Sequence, residues 1–161
     1  MTAAAGSGVV YESKVSVEPR AGRLKMVTLP HEAEPVPMGM HGPIATHYKV
    51  PEGTYTPRAA TLDYVVGAAA GCLMGTLNGA LTANQIPTGD GRLTSDAVGE
   101  IEVEDGVLVI RRILIRVQLK GAAAHRDKAE GVVKTYAMKC PVYRSLYKAI
   151  DITTELQYQE D

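Results

Sequence analysis

TLDYVVGAAAGCLMGTLNGALTANQI, residues 61–86, is the stretch whose reading decides the fold. It carries no charge beyond Asp63, and it places glycines at positions 67, 71, 75 and 79. Residues four apart lie on one face of an α-helix, so these glycines form a stripe without side chains. Each glycine costs a helix interior about 1 kcal/mol relative to alanine, so a stripe of them implies that another backbone comes close along that face. The pattern predicts a long, buried central helix of about 36 Å at roughly 1.5 Å per residue. Thr61 is placed to act as N-cap and Asp63 falls in the first turn, where the helix dipole favours a carboxylate. Asn84 and Pro87 mark the far end, and Cys72 lies beside the middle of the stripe. Small residues at this spacing also pack membrane helices. Here the run is Ala, Gly, Thr and Asn rather than Leu and Ile, and no Lys/Arg flank marks an orientation, which favours a buried core helix over a membrane span.

The 161 residues fit a single domain, 1–161, large enough to bury about two-thirds of its unfolded surface. A formal net charge of −1 gives no basic field and points away from nucleic acid. The opening MTAAAGSG has no basic region followed by an apolar core, so no secretory leader is expected there. Two cysteines do not make a disulfide scaffold in a chain of this size. The expected compartment is reducing cytoplasm, where such a pair is either inert core or redox chemistry.

Outward from the helix, Val9–Val17 reads as a strand, Glu18–Gly22 as a turn and Arg23–Leu29 as the second arm of a hairpin. Pro30–Pro57 is rich in Pro, Gly and His and reads as a long loop with a short strand at Ile44–Val50. Beyond the helix, Thr88–Gly91 is a turn, and Leu93–Val103 alternates apolar and acidic residues. Glu104-Asp105-Gly106 is a hairpin signal. Val107–Leu119 is the strongest strand, with Val109, Ile113, Ile115, Val117 and Leu119 on one face. Arg111 breaks that face and marks a bulge or a slip of register. Glu100 and Glu102 are set to pair across strands with Arg112 and Arg116. Ala122–Met138 reads as a helix, Val142–Ile150 as a shorter one and Ile152–Tyr158 as a closing strand. The order predicts an α+β fold, with antiparallel sheet covering central helices.

Cys140 precedes Pro141, and proline favours the first position of a helix. Cys140 therefore sits at a helix N-terminus, where unpaired N–H groups stabilise a thiolate. Burial among Ala, Gly, Leu and Met raises the pKa of Cys72 unless a cation approaches, so a reactive Cys72 requires an arginine or lysine from elsewhere. Both cysteines, taken alone, also suit inert core packing. His31, His41, His47 and His125 fall in no zinc-ligand spacing, and no metal or cofactor is expected. Met26, Met38, Met40 and Met74 suit an apolar pocket or core gaps. No phosphate-binding glycine loop and no serine-hydrolase elbow occurs.

TPRAATLDYVVGAAAGCLMGTLNGALTANQI, followed by the acidic hairpin and CPVYRSL, resembles the OsmC/Ohr family, the osmotically inducible and organic hydroperoxide resistance proteins. Pro57, Asp63 and the AAAGC run match its first cysteine motif, and Cys140-Pro141-Val142 its second. The resemblance implies an OsmC-like fold, with sheets wrapped around long central helices in an intertwined homodimer. It implies a thiol-dependent peroxidase acting on organic hydroperoxides and hydrogen peroxide, without membrane association. Cys72 would be the attacking thiolate, Cys140 the resolving thiol and a dithiol the reductant. The family's activating arginine maps to Arg20, with Arg23 as the second choice. Where the hydroperoxide-resistance branch has a glutamate this chain has Leu62, and Asp63 matches the acidic position of the other branch. Asp63 is thus the catalytic carboxylate expected from the resemblance, or only a partner of the helix dipole. The HEAEPVPMGMHGP loop departs from the family pattern. Two alternatives are a non-catalytic OsmC-like dimer binding an apolar small molecule, and a hot-dog thioesterase. The latter gives the two cysteines no role.

Overall fold

A computed structural model describes residues 8–161; the opening stretch read as lacking a leader otherwise lies outside the described residues. The described residues fall into two compact units, divided between Thr61 and Leu62.

In the N-terminal unit, β1 (Ser16–Arg20), β2 (Leu24–Thr28) and β3 (Val36–Met38) make an antiparallel sheet in that order. Residues 8–15 form no strand, so the first strand starts later than the valines at 9, 10 and 15 suggest. Arg20 closes β1 opposite Leu24, and the turn is Ala21-Gly22-Arg23, with Gly22 and Arg23 both at positive φ. Arg20 is therefore a strand residue rather than a turn residue.

Ile44–Val50, expected as a strand, is instead α1 (Gly42–His47), with Pro43 in its first turn. Proline presets helical φ at that position, and this outweighs the β-branched residues behind it. Its C-terminus closes with Lys49 at φ 53°, a Val50 N–H to Ala45 C=O bond of 2.9 Å and a Lys49 N–H to Thr46 C=O bond of 3.1 Å. That is a Schellman end, with buried Ala45 and Val50 as its apolar contact pair.

The second unit carries α2 (Thr61–Ala83), β4 (Leu93–Glu104), β5 (Val107–Gly121), α3 (Arg126–Val133), α4 (Pro141–Leu146) and β6 (Asp151–Glu160). The expected helix over 122–138 is broken: 3-10 turns at Ala123–His125 and Tyr136–Lys139 flank α3. β4 and β5 are an antiparallel hairpin whose Asp105-Gly106 turn has positive φ at both central residues, as a type I′ turn requires. The register shifts between Glu100 and Ile101, which pair with Arg112 and Ile110. Arg111 is thus the extra residue of a β-bulge, which is why Ile110 is buried while the inward phase resumes at Ile113.

One pairing corrects the all-antiparallel expectation, because β6 runs parallel to β5, from Arg112↔Asp151 to Gly121↔Glu160. Parallel neighbours need a long crossover, and residues 122–150 provide it in helical form.

Helix α2 starts at Thr61, so Thr61 is its first residue rather than the cap before it. Ala69, Leu73, Leu77 and Leu81 are fully buried and pack with Ile113, Ile115, Val117 and Leu119 of β5. Gly99 of β4 lies hard against α2: a Cβ there would stand 2.5 Å from Val66 Cγ2. The helix ends in a second Schellman motif, with Gln85 at φ 60°, Gln85 N–H to Thr82 C=O at 2.9 Å and Ile86 N–H to Leu81 C=O at 3.0 Å.

The glycine stripe lies outside this packing. Among the described residues, a Cβ at 67, 71, 75 or 79 would meet nothing within 4 Å. Within one chain the helix is therefore buried along one face, not all round. By length and composition alone α2 would suffice to cross a membrane, but its leucine face belongs to the core of the second unit.

Candidate redox site

Cys72 projects from α2 next to the buried leucine stripe and is half-buried; Cys140 is fully buried; both are free thiols. Helix α2 delivers the first sulfur, and the crossover between β5 and β6 delivers the second. Residues 68 positions apart in the sequence are brought close enough for the two thiols to act on each other.

The first turn of α4 supplies the rest of the polar surroundings. Cys140 is its N-cap, with extended backbone, and its Sγ accepts the Tyr143 N–H at 3.5 Å. The Val142 N–H is directed at Cys72. Pro141 at the start of the helix has no N–H, so the next two backbone donors are divided between the two sulfurs.

These groups act on Cys72 in opposite directions. Burial pushes its thiol above the ordinary cysteine range, the Val142 N–H pulls it down, and the hydrogen bond and charge coupling with Cys140 push it up again; the net direction is up. A thiol held this way keeps its proton and needs a cation to become a good nucleophile.

Of the four expected site residues, the structure brings Cys72 and Cys140 together. Arg20 lies in the N-terminal unit, exposed, with Nη2 bound to Glu18 at 2.7 Å. Asp63 sits in the first turn of α2 and lines an open cleft of about 320 Å³ with Val66, Gly67, Ala97, Gly99 and Ile101. Nine residues of helix separate Asp63 from Cys72, roughly 2.5 turns and 13.5 Å along the axis, so their side chains leave opposite sides of the helix. The methionines are divided: Met26, Met38 and Met40 lie in the N-terminal unit and Met74 in the other.

Sequence reasoning did not single out Val142, Tyr143 or Tyr136. The first two were legible in principle, since a cysteine N-cap followed by proline leaves positions 142 and 143 as the first free donors. Tyr136 is 2% exposed, and its hydroxyl is 2.8 Å from Thr154 Oγ1 on β6. Only the parallel pairing of β6 puts Thr154 there.

The OsmC-like protein family model matches residues 57–155, which include both cysteines. A search of curated proteins finds no match at the level of sequence. Among solved structures, an OsmC-like protein of unknown function from Vibrio cholerae aligns with a TM-score of 0.73 at 13% identity, over 92% of this chain and 100% of that one. A protein from Legionella pneumophila described as an organic hydroperoxide resistance protein OsmC and predicted redox protein gives 0.67 at 11%, over 93% and 99%. The organic hydroperoxide resistance protein OhrB of Bacillus subtilis gives 0.58 at 18%, over 92% and 100%. With the family model covering most of the chain and the fold matched end to end, this chain belongs to the OsmC-like family.

Proposed function

We propose that this protein is a two-cysteine thiol peroxidase that reduces organic hydroperoxides, and hydrogen peroxide with them. The observation that carries the reading is the sulfur pair, remote in sequence and neighbouring in space at the first turn of one helix. The Cys72 thiolate attacks the distal oxygen of the hydroperoxide. An S–O bond forms, the O–O bond breaks, and the alkoxide takes up a proton and leaves as alcohol, so that Cys72 becomes a sulfenic acid. The Cys140 sulfur then attacks Cys72. An S–S bond forms, and hydroxide departs with the Cys140 proton as water. A dithiol reductant, itself oxidised to a disulfide, restores both thiols.

Half-exposure suits Cys72 to meet the peroxide, and full burial suits Cys140 to wait for the sulfenate. The activating cation is assigned to Arg20 at the end of β1, with Arg23 of the following turn as the second choice. An opposite charge within about 4–6 Å lowers a thiol pKa by roughly 1–3 units. Asp63 is assigned to the N-terminus of α2, where the dipole favours it, rather than to the sulfur. The open glycine face is assigned to a second copy of the chain, making a homodimer, and the working compartment to reducing cytoplasm.

Thiol titration against cumene hydroperoxide tests the reading. A peroxidase loses two thiols per chain at about one equivalent, and Cys72→Ser abolishes the response. Slow, nonspecific thiol loss that Cys72→Ser leaves unchanged identifies instead a dimer that binds an apolar ligand without turnover.

A further inference from the structure

We propose that the hydrogen bond between Tyr136 and Thr154 is the tether that holds Cys140 against Cys72, making Tyr136 a positioning residue that decides whether oxidised Cys72 closes into a disulfide or oxidises further. The proposal rests on the redox reading of the two cysteines given above.

Between Ala129 and Ile150, Tyr136 and Cys140 are the only buried residues. Helix α4 has no fully buried side chain, and Val142, Tyr143 and Leu146 pack against the core only partly buried. The stretch that carries Cys140 therefore has few fully buried anchors, and among them Tyr136 is the one whose polar group is bonded to another element. Tyr136 opens the 3-10 turn that leads to it, and the turn closes on the Cys140 N–H, which donates to the Ala137 C=O at 2.9 Å. Four residues of tight turn thus connect the tyrosine ring rigidly to the cysteine backbone.

The other end of the tether is equally fixed. Thr154 lies on β6 opposite Ile115 of β5, a fully buried strand position. The Tyr136 hydroxyl reaches that strand at 2.8 Å. Removing the phenol oxygen leaves the Thr154 hydroxyl without this partner in a half-buried place and frees the turn to drift. The first chemical step needs only Cys72 and the peroxide. The second needs Cys140 in place within the lifetime of the sulfenate, and a second peroxide competes for that sulfenate to give a sulfinic acid.

The test is peroxide titration without reductant, read by intact mass as the share of disulfide against the share of sulfinic acid. Wild type gives mainly disulfide, and Cys140→Ser gives sulfinic acid. Tyr136→Phe, which keeps the ring, and Thr154→Val, which keeps the strand shape, each raise the ratio of sulfinic acid to disulfide roughly 5-fold, the population shift that corresponds to about 1 kcal/mol. Thr154→Ser, which keeps the hydroxyl, restores the wild-type ratio, and the rate of sulfenate formation stays unchanged in the Tyr136 and Thr154 variants. Wild-type partition in both Tyr136→Phe and Thr154→Val overturns the proposal while leaving the two-cysteine reading intact. Wild type that forms no disulfide at all overturns the redox reading and this proposal with it.

Discussion

Replacing Gly71 and Gly75 together by alanine gives opposite results depending on what covers the glycine face of α2. Among the described residues of one chain, neither position has a neighbour within 4 Å of the added Cβ. Both lie mid-helix, where alanine is better than glycine by about 1 kcal/mol each, so an uncovered helix gains about 2 kcal/mol. For a chain of this size that raises Tm by roughly 4–8 °C. A second copy packed backbone to backbone along the stripe reverses the sign. Each Cβ then has to be accommodated, at roughly 1–3 kcal/mol per overpacked site, and two-fold symmetry doubles the number of sites. The account predicts that the double variant loses the dimer and melts below wild type. Sedimentation velocity read beside thermal melts at two protein concentrations gives both quantities. A variant that melts higher and sediments as wild type does would refute the reasoning, because it would mean that nothing approaches the stripe.

Gly99→Ala acts inside one chain instead. Its Cβ would stand 2.5 Å from Val66 Cγ2, so the Val66 side chain or the elements that carry the two residues have to yield; the expected loss is about 1–3 kcal/mol, seen as a lower urea midpoint. Burial holds the Tyr136 phenol above its ordinary value in the folded chain, with Cys140 and Tyr143 adding to that direction and the Thr154 hydrogen bond opposing it. The folded state therefore keeps this proton more tightly than the unfolded one. The stability it contributes is complete below about pH 10, the unfolded value, and is lost as pH rises through the higher folded value; Tyr136→Phe should flatten that alkaline limb in urea titrations at stepped pH. Arg20→Met should move the pH midpoint of Cys72 alkylation upward by about 1–3 units if Arg20 is the activating cation, and an unmoved midpoint shifts the assignment to Arg23 or away from the turn.

The helix at 61–83 and the hairpin after it were legible because their signals are local and agree with one another. Four-residue spacing, an Asp-Gly turn and strict alternation each specify one conformation. Arg111 could be flagged as a bulge or slip because it broke an otherwise regular apolar face. α1 was misread because its β-branched residues outweighed the Gly-Pro start. The parallel placement of β6 depends on a crossover path that no local pattern encodes. At the site, cysteine chemistry and the proline after Cys140 pointed to a helix cap. The meeting of two sulfurs 68 residues apart in the sequence, and the Tyr136–Thr154 contact beside them, are products of that crossover. One prediction from burial needs refining: α2 looked buried all round because its glycines read as packed, yet within a chain they face outward.

The central claim is that Cys72 and Cys140 close on each other within one chain when a hydroperoxide arrives. The most direct test is to treat the reduced protein with one equivalent of cumene hydroperoxide, block remaining thiols, digest without reductant and map the cysteine peptides by mass. The account predicts a single cross-linked species joining the peptide that contains Cys72 to the one that contains Cys140, formed at the same yield on dilution. Recovery of both peptides separately blocked, or of Cys72 oxidised while Cys140 remains free, would contradict it.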